Sequence, residues 1–174
     1  MINIVLYQPE IPQNTGNIIR TAMAIGARLH LIKPLGFDIE DKSVLRASMD
    51  YIDDVDIHIY ENVEDFYSKN KDAEIFYITR YASMPYTSYD YSSPSKDYYF
   101  MFGRESTGID HDILRGHEDH LARIPMVINA RSLNLSNSVA IVVYEAVRQQ
   151  DFYHLATFET IKGENFLNEE INKK

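Results

Sequence analysis

No cysteine occurs among the 174 residues. That excludes disulfides and thiolate zinc sites, and it fits a cytoplasmic protein. No apolar run is long enough to span a membrane, and the N-terminus lacks the basic-then-apolar layout of a signal peptide. Positive charge is scarce: 17 Lys and Arg stand against 26 Asp and Glu, a net charge of −9. A general nucleic-acid binder is normally basic, so this balance argues against one. The turn after the first apolar run, Gln8-Pro9-Glu10-Ile11-Pro12, carries no glycine, which excludes a Rossmann-type dinucleotide or methyl-donor site. The P-loop pattern G-x-x-x-x-G-K-[ST] is missing, and Ser106 lacks the G-x-S-x-G elbow of a serine hydrolase. There is no internal repeat.

What is present fits one domain with a sizeable core, since 45% of the residues are hydrophobic. Ile2–Tyr7 reads as a buried strand, and Asn17–Ile25 as a helix ended by Gly26. Strands are expected at Leu29–Ile32, Val55–Tyr60, Glu74–Thr79, Tyr98–Phe102 and Leu121–Ile124. Between them come a turn at Lys33–Gly36, a helical half within Asp38–Met49, and short helices at Val63–Ser68 and Asp110–Leu114. Strands alternating with helices predict an α/β domain with a mainly parallel sheet. Charge is uneven along it. Acids crowd Asp50 to Glu74 against only Lys69 and Lys71, while Arg20, Arg28, Lys33, Lys42 and Arg46 sit near the N-terminus. Arg80, Arg104, Arg123 and Arg131 accompany the polar loops, and a local basic cleft on an acidic body can still steer a polyanion.

Three loops are unusual. Asn14-Thr15-Gly16-Asn17-Ile18-Ile19-Arg20 follows the first strand. Phe102-Gly103-Arg104-Glu105-Ser106-Thr107-Gly108 follows another, and Arg131–Ser138 is crowded with small polar side chains. After that third loop, Val139, Val142, Val143, Ala146 and Val147 recur at helical spacing, and Asn134, Ser136 and Asn137 are capping types. A strand through Val139–Val143 is the competing reading, but the helix-compatible run to Gln150 decides for helix. A polar loop at a helix N-terminus can hold a ligand through aligned donors.

In this order, the three loops resemble the signature motifs of the SPOUT RNA methyltransferases, and in particular the small tRNA wobble-position ribose 2′-O-methyltransferases. The likeness begins at Met1, with Ile4-Val5-Leu6-Tyr7-Gln8-Pro9-Glu10-Ile11-Pro12-Gln13-Asn14, and runs to about Gln150. It implies a single methyltransferase domain over 1–150; residues 151–174 run past the family's usual end, and Phe152, Tyr153, Leu155, Phe158, Ile161 and Phe166 make that extension apolar enough to be expected to pack in part. It also implies a C-terminal trefoil knot, which sequence logic alone would forbid. The implied activity is S-adenosylmethionine-dependent 2′-O-methylation of the ribose at tRNA position 34, cytidine or modified uridine. The alternatives are another RNA site or a non-catalytic RNA-binding protein of the same fold. Ile78, Gly103, Ile124, Ser132 and Leu133 are the implied donor-binding residues, although for Ile78 and Ile124 plain core packing competes. Arg20, Asn14, Glu105, Asn134 and Ser136 are the implied catalytic set. A guanidinium is a difficult base, so Arg20 is expected to clamp the target phosphate and stabilise the developing oxyanion. Turn and cap chemistry is the rival role for Asn14 and Asn134. The implied partners are the tRNA anticodon arm and a second copy of the chain, with no membrane and no metal. Where the resemblance leads one to expect Lys or Thr-Lys at the end of the Glu74–Thr79 strand, this chain has Thr79-Arg80.

Two stretches stay outside that scheme. Seven of the 13 tyrosines fall between Tyr77 and Tyr99, where they either stack on unpaired bases or pack on the protein's own surface. His111, His117 and His120 lie close together but match no zinc spacing, so a solvated polar turn is expected.

Overall fold

β1 (Ile2–Tyr7) is buried along its whole length, a condition met only by a central strand covered on both faces. Ile2, Ile4 and Leu6 point into one apolar cluster, while Val5 and Tyr7 point into another. The computed structural model describes residues 1–49, 51–163 and 166. Among them, β2 (Arg28–Ile32), β3 (Ile57–Tyr60), β4 (Glu74–Ile78), β5 (Met84–Pro85), β6 (Tyr98–Phe102) and β7 (Leu121–Arg123) join β1 in one sheet. Its order is β3-β2-β1-β6-β4-β7-β5 and every pairing is parallel. The α/β class and parallel sheet expected from the alternation of elements are therefore present.

Helices cover both faces. α1 (Pro12–Ile25) and α5 (Leu135–Gln149) lie side by side on the first cluster, where Ile18, Ile19 and Ala22 meet Val139, Val142, Val143 and Ala146. α2 (Lys42–Ser48) packs on α1 at Gly16, where an added Cβ would stand 2.5 Å from the Ala47 Cβ. The glycine of the first polar loop is thus a helix-packing residue. α3 (Val63–Lys69) and α4 (His111–Leu114) cover the other face through Phe66 and Leu114.

Sequence and structure differ at the start of α1. It begins at Pro12, five residues ahead of the expected Asn17, so Asn14-Thr15-Gly16 forms its first turn and not a loop. Pro12 suits that position, because its ring presets φ and the missing N–H would have no helical partner.

β1 and β6 are neighbours from which the chain departs to opposite sides of the sheet. Such a switch point leaves a crevice beyond the strands' carboxyl ends. The loops after β1 and β6 meet there.

Candidate active site at the switch point

The first turn of α1 lacks a cap of its own, because the residue before it, Ile11, has no side-chain acceptor. Glu105, in the loop after β6, supplies one. Its Oε2 accepts from the Glu10 N–H at 2.9 Å, and its Oε1 accepts from the Ile11 N–H at 3.2 Å and from Asn14 Nδ2 at 3.0 Å. A carboxylate is also favoured by the helix dipole at this end. The exchange is reciprocal: the Glu10 carboxylate accepts from the Ser106 hydroxyl at 2.7 Å and its N–H at 2.8 Å. Those bonds hold the Glu10 carboxyl below its usual pKa.

The network continues into the third loop. Asn14 Oδ1 accepts from Asn134 Nδ2 at 2.9 Å. Asn134 in turn caps α5, its Oδ1 accepting from the Ser136 and Asn137 N–H groups at 2.9 and 3.3 Å and from the Ser136 hydroxyl at 2.6 Å. Glu105, Asn14 and Asn134 therefore form one unbroken chain across three motifs separated by 91 and 120 residues. Asn14 is 5% exposed, and a buried amide satisfied on both sides fixes its neighbours' positions.

Beside this chain lies a cleft of about 1200 Å³. Ile78, Gly103, Ile124, Ser132 and Leu133 line it, and so do Asn14, Glu105 and Asn134. Ser136 belongs to the cap and does not reach the cleft wall, and Arg20 lies on an exposed part of α1 outside it. At Gly103 the protein's own backbone leaves no room for a side chain. A Cβ there would stand 2.2 Å from the Gly108 carbonyl carbon, because the 104–108 loop folds back on itself. That fold-back is closed by hydrogen bonds between Arg104 and Gly108 in both directions.

One group was not foreseen. Arg104 donates from Nε to Gln8 Oε1 at 2.8 Å, and from its terminal nitrogens to Thr107 Oγ1, the Tyr7 hydroxyl and Asp110 Oδ2 at 3.1, 3.1 and 2.8 Å. Tyr7 donates to the same Asp110 oxygen, and burial together with that bond pushes its pKa up. The guanidinium also sits 5.0 Å from the Tyr7 ring centre. Every partner but Thr107 and Asp110 is about 96 residues away, so no local pattern announces the cluster. Arg104 shapes the loop and is spent on doing so. Of the three histidines, His111 faces Tyr81, His117 faces Tyr77 and His120 faces Phe76, so each imidazole has its own aromatic partner.

A family model described as the SpoU rRNA Methylase family matches residues 1–144. The chain belongs to the SpoU methylase family. This SpoU methylase is 51% identical over 155 residues to a Geobacillus stearothermophilus protein provisionally named a tRNA (cytidine(34)-2′-O)-methyltransferase, covering 89% of this chain and 99% of that one. It superposes with a TM-score of 0.86 on a Bacillus anthracis crystal structure provisionally assigned as an RNA methyltransferase, at 52% identity over 92% of this chain and 100% of that one. A structure reported for the 2′-OH methylation of C/U34 on tRNA matches at 37% identity and TM-score 0.80, covering 87% and 97%. The AdoMet-bound rRNA methyltransferase of Sinorhizobium meliloti matches at 31% and 0.77, over 84% of this chain and 56% of that one. The expected trefoil-knotted SPOUT fold holds for this SpoU methylase. β7 lies between β4 and β5, which the 79–83 link already joins, and the following segment returns to set α5 against β1 and β6.

Proposed function

We propose that this chain transfers a methyl group from S-adenosylmethionine to the ribose 2′-hydroxyl of the wobble nucleotide, position 34, of tRNA. The observation that carries the reading is the Glu105–Asn14–Asn134 chain, which locks three motifs around one cleft wall. Half-buried Ile78 and Ile124 and the part-exposed Leu133 offer apolar cover suited to an adenosyl group. S-adenosylmethionine supplies the activated methyl group, and the protein's own part is position and electrostatics.

Proton removal from the ribose hydroxyl is not assigned to a carboxylate. Glu105 already accepts three donors and Glu10 two, so both serve as anchors. Arg20 is the cation for the RNA phosphate and the developing oxyanion. Its place outside the cleft of one chain supports a site completed by a second copy. The neighbouring helices α1 and α5 expose Met23, Ile141 and Tyr144 at 41%, 37% and 43%, large apolar side chains that a twofold partner could cover. We therefore infer a homodimer that acts on the anticodon arm in the cytoplasm, off any membrane. Sedimentation of a stable monomer at micromolar concentration would contradict the dimer. The sulfonium carries its own leaving group, so the transfer is expected to survive a chelator. Residues 1–150 are the catalytic unit, and the extension 151–174 lies in part outside the described residues, with Leu155 packed on the first cluster.

The test is incubation with total tRNA and labelled donor, followed by mapping of the modified nucleotide. A 2′-O-methyl at position 34 supports the reading. Label at another site, or none despite donor binding, favours one of the alternatives.

A further inference from the structure

The tyrosine-rich stretch resolves into two populations. Tyr77, Tyr91, Tyr98 and Tyr99 are core residues, at most 8% exposed. Tyr86 and Tyr89 lean on the first cluster, and the Tyr89 hydroxyl donates to the Leu121 carbonyl at 2.6 Å. Only Tyr81 stands out, 59% exposed and on the wall of the cleft.

Its backbone is held firmly. Thr79 N–H donates to the Ala122 carbonyl at 2.9 Å, and Tyr81 N–H donates to Thr79 Oγ1 at 3.3 Å. Ala82 is 3% exposed, and Met84 pairs with Ala122 in the sheet. A large ring is thus displayed from a rigid link, a conformation that costs little entropy when something lies on it. Its neighbours are polar. The Arg80 guanidinium lies 5.7 Å from the ring centre, and the His111 ring meets it nearly edge-on, with centroids 4.8 Å apart and planes at 84°. Arg80 and Arg131 both line the cleft, and neither has an ion-pair partner among the described residues. The core tyrosines belong to the apolar clusters, whereas Tyr81 is a member of neither.

A ring with one unpaired guanidinium beside it and another in the same cleft matches unpaired nucleic acid, whose bases offer flat faces and whose backbone offers phosphates. An apolar protein partner would leave Arg80 and Arg131 desolvated without a counter-charge. The donor's adenine is better served by the apolar slot of Ile78, Ile124 and Leu133. We propose that Tyr81 holds, by stacking, a base next to the target nucleotide, with Arg80 on the adjoining phosphate. This rests on the reading of the cleft as an RNA ribose methyltransferase site, and makes Tyr81 a substrate-holding residue within it.

The test compares the native protein with Tyr81→Ala and Tyr81→Phe on an anticodon stem-loop RNA. It measures S-adenosylmethionine affinity by calorimetry and transfer by labelled methyl. Loss of one stacked base corresponds to about 5- to 150-fold weaker binding. Tyr81→Ala is expected to raise KM for the RNA within that range while leaving donor affinity intact, and Tyr81→Phe is expected to behave as native. On RNAs made abasic at one of the target's two neighbours, the Tyr81→Ala penalty should disappear. Arg80→Gln should lower the salt dependence of RNA binding by roughly one unit of slope. A Tyr81→Ala variant that loses donor affinity, keeps the native KM, or stays additive with both abasic sites overturns the inference, as does Tyr81→Phe failing like alanine. A native protein that leaves position 34 unmethylated overturns the functional reading and this inference with it. Native methylation combined with an indifferent Tyr81 overturns the inference alone.

Discussion

Two hydrogen-bonded polar groups, one beyond the ends of the strands and one on a face of the sheet, have opposite meanings. One is the Glu105–Asn14–Asn134 chain at the carboxyl ends of β1 and β6, where it opens on the cleft. The other lies within the β1–β2–β3 half, on the side of the second apolar cluster. There, the two ring nitrogens of His30 bond the Tyr60 hydroxyl at 2.8 Å and Asn3 Oδ1 at 3.1 Å. Asn70 reaches the same Tyr60 hydroxyl at 3.3 Å, and the rings of His58, Tyr60, Phe66 and Tyr99 close around the imidazole. Burial, with His58 and Arg28 nearby, drives the His30 pKa from 6.5 to about 3. A strongly shifted histidine is a common mark of an active site, yet here it belongs to a sealed core, outside the cleft lining. Access to a cleft, and not the size of a pKa shift, separates the working group from the structural one.

The sharpest way to break that comparison is to remove the charge assigned to the RNA. Arg20→Ala is expected to lower methyl transfer about 100-fold or more, the scale of losing one transition-state stabiliser. Donor affinity should stay within twofold of native, as read by calorimetry. A variant that loses donor binding would show that Arg20 belongs to the donor's side of the site.

Gly103→Val probes the loop that shapes the donor's crevice. Its Cβ would collide with the Gly108 and Ile109 backbone, which cannot swing aside as a side chain can. Donor affinity is expected to fall at least about tenfold, together with stability by roughly 1–3 kcal/mol from overpacking. Calorimetry and thermal unfolding read the two effects separately.

The contrast between the two groups was only partly legible in the sequence. β1 and β6 were read with their observed boundaries, because continuous apolar runs bounded by turn residues have few other homes. The cap of α5 was legible too, since Asn134 bonds residues two and three positions on. The start of α1 was misplaced for an equally physical reason. Its cap is Glu105, more than 90 residues away, and no local pattern can announce an acceptor supplied from another loop. The two residues of β5 are too short to show a period. The same holds for the Arg104–Tyr7–Asp110 cluster and for the burial of four of the seven clustered tyrosines and the partial burial of two more, which depends on what the fold places above them. The cleft-lining positions became visible through the resemblance of three ordered motifs, not through any one residue's neighbourhood.

The sealed group makes a smaller, pH-dependent prediction. The His30 pKa is depressed in the folded state, so the unfolded chain binds the extra proton first as pH falls. The stabilisation is therefore complete above pH 6.5 and lost progressively between there and about 3. The slope contributed by His30 is at most about 1.4 kcal/mol per pH unit. Urea unfolding from pH 7 to pH 4 should show a shallower acid decline for His30→Gln than for the native chain. An unchanged slope would mean that other groups dominate the acid limb.

The most direct measurement sets the two groups side by side on one substrate. Asn14→Ala opens the chain at the cleft, and His30→Gln disturbs the sealed group. Both are assayed for methyl transfer to tRNA at pH 7.5, with activity normalised to the folded fraction from unfolding curves. Asn14→Ala should lose most of its transfer activity per folded molecule, while His30→Gln should transfer at the native rate despite any loss of stability. Equal losses per folded molecule, or a loss confined to His30→Gln, would contradict the assignment of the active site to the cleft.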